Sequence, residues 1–182
     1  AMLGFHAKGT HNLVATPDCQ LLTPGIMDAF PVLEKLVVIA ASRKAEIALT
    51  VAETAAGLDI YVDTETPLTP ELRQTLAVFA QENGIARLVW PEEPVVTMNP
   101  PEQFLGTTRV TPPAGAFLQA TKHGEAALLS AVEEITAKAN RIVDLFAGCG
   151  TFALPLSARA EVHAVEGDAD MVAALDRGWR GG

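Results

Sequence analysis

The 182 residues carry 13 Lys and Arg against 22 Asp and Glu, a formal net charge of −9, and 49% of them are hydrophobic. A chain this apolar buries a core and is neither disordered nor fibrous, while its longest apolar runs, such as Leu36 to Ala41, fall far short of the roughly 20 residues of a membrane span. No basic segment followed by an apolar block opens it, so no secretion signal is read, and two cysteines, Cys19 and Cys149, are too few for a disulfide framework and suit a reducing cytoplasm.

Along the chain, residues 3 to 16 read as a short hairpin with its turn at Lys8-Gly9-Thr10. Pro24 opens a helical segment in which Ile26, Met27, Phe30, Leu33, Leu36 and Val37 recur at helical spacing, with an interruption at Pro31. Strands are expected over Glu46 to Ala52 and Leu58 to Val62, joined near Ala56-Gly57. Thr69-Pro70-Glu71 is a helix start, Leu72, Leu76 and Phe79 form its apolar stripe, and Asn83-Gly84 ends it. Ile85 to Trp90 and Val95 to Met98 read as further strands. These elements suit an α+β domain over residues 1–103, and residues 104–182 then form a second domain. The Pro-rich stretch Thr111-Pro112-Pro113-Ala114-Gly115 marks the change of grammar. Beyond it come a helix over Gly124 to Asn140, a strand over Arg141 to Phe146, a helix from about Thr151, and a strand over Glu161 to Val165. That order is the first β–α–β part of a doubly wound, Rossmann-like parallel sheet, so the whole chain reads as α/β.

The negative charge is uneven. Residues 59 to 102 hold eight acids (Asp59, Asp63, Glu65, Glu71, Glu82, Glu92, Glu93, Glu102) and two bases, Arg73 and Arg87. This stretch reads as a solvated face that favours solubility, opposite in sign to a surface that neutralises phosphates. His6, His11, His123 and His163 have no metal-ligand spacing, and His163 reads as packed within its strand. Both ends look cut, which leads us to expect a piece of a longer enzyme.

The chemistry sits in Asp144-Leu145-Phe146-Ala147-Gly148-Cys149-Gly150-Thr151-Phe152. A strand runs into Gly-x-Gly and then into a helix, where bare Cα atoms let the backbone turn tightly and approach a ligand. Glu166, 22 residues beyond Asp144, ends the next strand and can accept hydrogen bonds from ribose hydroxyls. Asp144 discriminates between ligands, because a carboxylate at the strand tip repels a pyrophosphate and favours the sulfonium and ammonium of S-adenosylmethionine. A nicotinamide or flavin nucleotide and a purely structural glycine turn are the alternatives. Cys149, within the turn, reads as structural.

The run from Asp144 through Gly148, Gly150, Phe152 and Leu154-Pro155-Leu156 to Val165-Glu166 resembles the bacterial RNA uracil-C5 methyltransferases, notably those of 23S rRNA. Phe117-x-Gln119 is similar to that family's Phe-x-Gln element, and Gly4-Phe5-His6 through Cys19 to Pro24 is similar to the segment that opens its catalytic half. The resemblance implies an S-adenosylmethionine-dependent RNA methyltransferase with RNA, rRNA above all, as its partner. It implies no membrane role and no protein partner. It implies cofactor contacts from Gln119, Asp144, Phe146, the turn Gly148 to Gly150, and Glu166. In cluster-containing members the cysteine matching Cys19 is the last of four ligands to a [4Fe-4S] cluster, so Cys19 is either such a metal ligand or an uncommitted thiol. The family's chemistry adds a cysteine thiolate to uracil C6 and removes the C5 proton with a base. Those groups and an Asp-Pro-Pro-Arg type motif do not follow Glu166 here, so no residue of this chain is assigned a catalytic role and the chain by itself is expected to be inactive. Ala147 and Thr121 depart from the family, standing where Cys and Asn are usual. A methyltransferase of another substrate, or a non-catalytic cofactor-binding module, are the competing functions.

Overall fold

The computed structural model describes residues 2–41, 46–91 and 93–181. The chain divides into two compact units, Ala1–Pro101 and Glu102–Gly182, each built around its own core.

In the first unit, strands β1 (Gly4–His6) and β2 (Leu13–Ala15) form the expected antiparallel hairpin. Helices α1 (Pro24–Asp28) and α2 (Phe30–Ala40) follow. The break between them falls at Ala29 rather than at Pro31, because Pro31 sits in the first turn of α2, where a missing N–H costs nothing. Strands β3 (Ala48–Thr54) and β4 (Gly57–Asp63) pair antiparallel. Helix α3 (Pro70–Glu82) carries the chain across to β5 (Arg87–Trp90), which lies parallel to β4, and β6 (Glu93–Thr97) closes the order β3-β4-β5-β6. The Thr69 hydroxyl accepts the Leu72 N–H at 3.2 Å, as its position before Pro70 predicts. Leu33, Leu36 and Ala40 of α2 and Leu76, Phe79 and Ala80 of α3 are buried against Ile60, Val62, Leu88 and Trp90 on one face of the sheet.

The period-two alternation puts Asp59 and Arg87 on the opposite face, where they are register partners. Arg87 Nε and Nη2 donate to the two Asp59 oxygens at 2.7 Å each, with both side chains nearly enclosed (12% and 11% exposed). Asp59 is therefore no part of a solvated acidic face. The other base of that stretch, Arg73, is bound to Glu93 and to the Pro94 carbonyl. Glu92 lies outside the described residues.

The second unit opens with a hairpin that sequence reading misses, β7 (Gln103–Leu105) and β8 (Thr108–Val110), turned at Gly106 with φ 63°. Helix α4 (Lys122–Ile135) ends five residues earlier than its apolar pattern suggests, and the Thr121 hydroxyl caps it by accepting the Gly124 N–H at 3.0 Å. Strand β9 (Arg141–Leu145) leads through the glycine turn to α5 (Ala153–Ser157). Strand β10 (Glu161–Val165) then pairs parallel with β9, and α6 (Ala169–Gly181) follows. Leu105, Val110, Cys149, Leu154 and Ala174 form the core, with Leu118 and Met171 packed on it. The Pro-rich stretch 111–115 lies inside this unit. His163 is exposed on β10 rather than packed, because it lies with Glu161 and Val165 on the face of the strand that is exposed throughout. No helix among the described residues is long and apolar enough to cross a membrane.

Removing Asp59 takes two charge-assisted hydrogen bonds from a nearly enclosed guanidinium. Asp59→Ala is expected to destabilise the first unit by about 3–5 kcal/mol in urea titration, and the joint change Asp59→Leu with Arg87→Met to recover most of that loss.

Candidate cofactor-binding site

Strand β9 stops at Leu145, and the next residue, Phe146, takes φ 60°, a left-handed conformation that bulky side chains rarely adopt. Gly148 (φ 57°) and Gly150 (φ 103°) complete the reversal into α5. The turn is tied at both ends, by the Ala147 N–H to the Val165 carbonyl at 3.1 Å and the Gly150 N–H to the Ala147 carbonyl at 2.9 Å. The two glycines do different work. A Cβ on Gly150 would meet Leu154 Cγ at 2.7 Å and Leu175 Cγ at 3.2 Å, so the missing side chain lets the turn settle on its core. A Cβ on Gly148 would have no heavy atom within 4 Å, leaving open space above its backbone.

Two carboxylates flank that space in opposite environments. Glu166 Oε2 accepts the Gly148 N–H at 2.8 Å, while its Oε1 accepts those of Gly167 at 2.7 Å and Asp168 at 2.9 Å. The backbone donors, Asp168 first, hold its carboxyl below the usual range. Asp144, at the end of β9, is the converse. Burial raises its pKa, a hydrogen bond from the Ala153 backbone offsets this only in part, and its Oδ2 is shielded from solvent with no hydrogen-bond partner. A carboxylate at the end of β9 favours a ligand that carries positive charge and disfavours phosphate. The residues present thus fit S-adenosylmethionine.

Phe146 projects from the turn with its side chain 90% exposed. Gln119 is half-buried in the irregular segment before α4. Its neighbour Leu118 packs on the core that holds Cys149 and Leu154, but no hydrogen bond among the described residues joins Gln119 to the turn. Asp144, Phe146, Gly148, Gly150 and Glu166 lie at the adjacent ends of β9 and β10. Sequence reading overlooks Asp168, whose Oδ1 accepts the Asp170 and Met171 N–H groups and so caps α6. Its signal was an Asp directly ahead of the helix. Cys149 is buried in the core, and burial pushes its thiol up, away from the reactive thiolate. Cys19 is a free, half-buried thiol. Among the described residues no three His, Cys, Asp or Glu side chains are grouped to hold a metal ion, so a single Cys19 does not fit a cluster that needs about four thiolates.

A parallel β–turn–α–β unit with a carboxylate at each strand end is the Rossmann-like architecture of nucleoside-cofactor binders. Backbone comparison agrees. The tRNA (uracil-54, C5)-methyltransferase of Pyrococcus abyssi, solved with S-adenosyl-L-homocysteine, superposes with a TM-score of 0.63 at 14% identity, over 93% of this chain and 46% of that one. The M. jannaschii tRNA m1G37 methyltransferase superposes with a TM-score of 0.52 at 12% identity, over 94% and 51%. No family model matches the chain. In sequence it is homologous to bacterial proteins named RNA methyltransferases along nearly its whole length. An uncharacterized RNA methyltransferase of Mesorhizobium japonicum is 36% identical over 179 residues, 98% of this chain and 43% of that protein. Another, of Rhizobium meliloti, is 39% identical over 176 residues, 96% and 42%. The 23S rRNA (uracil(1939)-C(5))-methyltransferase RlmD of Shewanella woodyi is 30% identical over 180 residues, 94% and 41%. The chain thus spans less than half the length of these relatives.

Gly150→Ala is expected to cost about 2 kcal/mol or more through overpacking against Leu154, and Gly148→Ala only about 1 kcal/mol of backbone strain, both measured by denaturant titration. Because the pKa of Asp144 is raised on folding, its ionised form costs the fold stability as pH rises through the folded value. Asp144→Asn removes that cost and should raise Tm in thermal scans near pH 7, with the gain lost below the ordinary carboxylate range.

Proposed function

We propose that this chain is the cofactor-holding part of an S-adenosylmethionine-dependent RNA methyltransferase that modifies uracil C5, with rRNA as its substrate, working in the cytoplasm. The observation that carries the reading is homology over 94% of the chain to a protein named for that reaction, joined to a glycine turn flanked by carboxylates. In this reading residues 1–103 are a central α+β domain and residues 104–182 begin the cofactor-binding domain.

When bound, S-adenosylmethionine supplies an electrophilic methyl group on its sulfonium sulfur. Asp144, at the end of β9, supplies negative charge that favours the ligand's cationic groups over a phosphate. The bare Cα of Gly148 admits the amino-acid end close to the backbone. Glu166 Oε2, which takes one N–H, has capacity for a ribose hydroxyl. Phe146 lends an exposed aromatic face beside the crevice, and Gln119 contacts the methionine portion. Cys149 is enclosed and is no nucleophile for uracil. We therefore assign this chain the holding of the methyl donor and not the attack on the base. Cys19 serves as a [4Fe-4S] ligand only beside three further thiolates, and the proposed function does not depend on a cluster.

Calorimetry with S-adenosylmethionine, S-adenosylhomocysteine and NADH tests the reading. Binding of the first two is expected, weakened about tenfold or more by Glu166→Ala, the loss typical of a hydrogen bond to a charged group. Preference for NADH over both overturns it.

A further inference from the structure

Accepting a ribose hydroxyl would occupy only a fraction of what the Glu166 side chain does. Three backbone donors converge on its carboxylate with no ligand present: Gly148 on Oε2, and Gly167 and Asp168 on Oε1, all within 2.9 Å. The turn so held is not one the chain adopts easily. Phe146 has a positive φ, which bulky residues rarely adopt, and, 90% exposed, it gains almost no burial to offset that strain. The bonds to Val165 and Ala147 secure the two ends of the turn, which leaves its apex, the Gly148 N–H, to Glu166.

We propose that Glu166 is a positioning residue for the glycine turn: its carboxylate bridges the Gly148 N–H to the Gly167 and Asp168 N–H groups beyond β10, and so holds the turn in the conformation that receives the ligand. This role follows from the hydrogen bonds alone and stands whatever the ligand is.

The proposal separates Gln from Glu where ribose binding does not. A carboxylate accepts on both oxygens, whereas an amide accepts on one and donates from the other. Gln at position 166 must therefore aim its NH2 either at the Gly148 N–H or at the Gly167 and Asp168 pair, donor against donor. A ribose hydroxyl can donate or accept and tolerates the amide.

Amide hydrogen exchange on the 15N-labelled 182-residue chain, without ligand, tests the brace. In Glu166→Ala the Gly148 N–H is expected to exchange about tenfold faster or more, and in Glu166→Gln either that amide or those of Gly167 and Asp168 do so, while the amides of β4 keep their rates. Unchanged Gly148 exchange in both variants overturns the proposal. A second arm, which rests on the proposed function, is affinity for S-adenosylhomocysteine. A Gln variant as weak as the Ala variant supports the brace, and a Gln variant that binds like wild type while Ala is weak assigns Glu166 to the ribose alone and overturns it. If the wild-type chain binds no S-adenosylhomocysteine, the functional reading fails and the exchange rates still decide the brace. Should the variants not fold, scalar coupling between the Gly148 amide nitrogen and the Glu166 carboxyl carbon in the wild-type chain decides, and its absence overturns the proposal.

Discussion

Backbone N–H groups at a chain reversal must find acceptors, and in the second unit one carboxylate answers for two reversals at once. Glu166 takes the apex of the turn after β9 and the first amides after β10, so the two strand ends are held as a pair with a gap between them. The neighbouring carboxylate receives no such company. Asp144 is desolvated, and one of its oxygens is left without a donor. The contrast gives the crevice its chemistry, since one acid has its charge answered from within the fold and the other leaves its charge for whatever enters.

The hydrophobic floor of the same turn explains why its two cysteine-like positions behave so differently from a reactive site. Cys149 points into a packed cluster with Leu105, Val110, Leu154 and Ala174, where it acts as a small apolar side chain with an elevated pKa. Ala147, standing where a family cysteine is usual, is buried as well, so the loss of that sulfur changes little in volume. The turn thereby shows its backbone to the crevice and the side chains of Ala147 and Cys149 to the core.

Legibility followed locality. The cap at Thr69, the hairpin of β3 and β4, and the parallel pair β9 and β10 rest on short-range signals: a hydroxyl ahead of a helix, alternation within a strand, glycines at a reversal. Asp144, Gly148 and Glu166 were readable for the same reason, since strand ends on neighbouring parallel strands must face one crevice. Part of what escaped depends on partners distant in sequence. Asp59 looks like one acid among eight until the pairing of β4 with β5 sets it beside Arg87. The strands β7 and β8 are three residues each, too short to announce an alternation. His163 has the setting of a packed strand residue, and only the face left open on β10 shows otherwise. Gln119 lies in irregular backbone, whose path no periodicity fixes.

The unforeseen hairpin has a practical bearing on dissecting this chain. Gly106 lies against the ring of Pro155, Gly178 of α6 fits against Val110 and the Arg109 carbonyl, and a Cβ at either glycine would crowd its neighbour. Leu105 and Val110 meanwhile supply fully enclosed ballast in the cluster around Cys149. A recombinant piece begun at the proline-rich stretch, where composition invites the scissors, would discard this underpinning along with two interlocking notches. The economical place to start such a piece is ahead of Gln103.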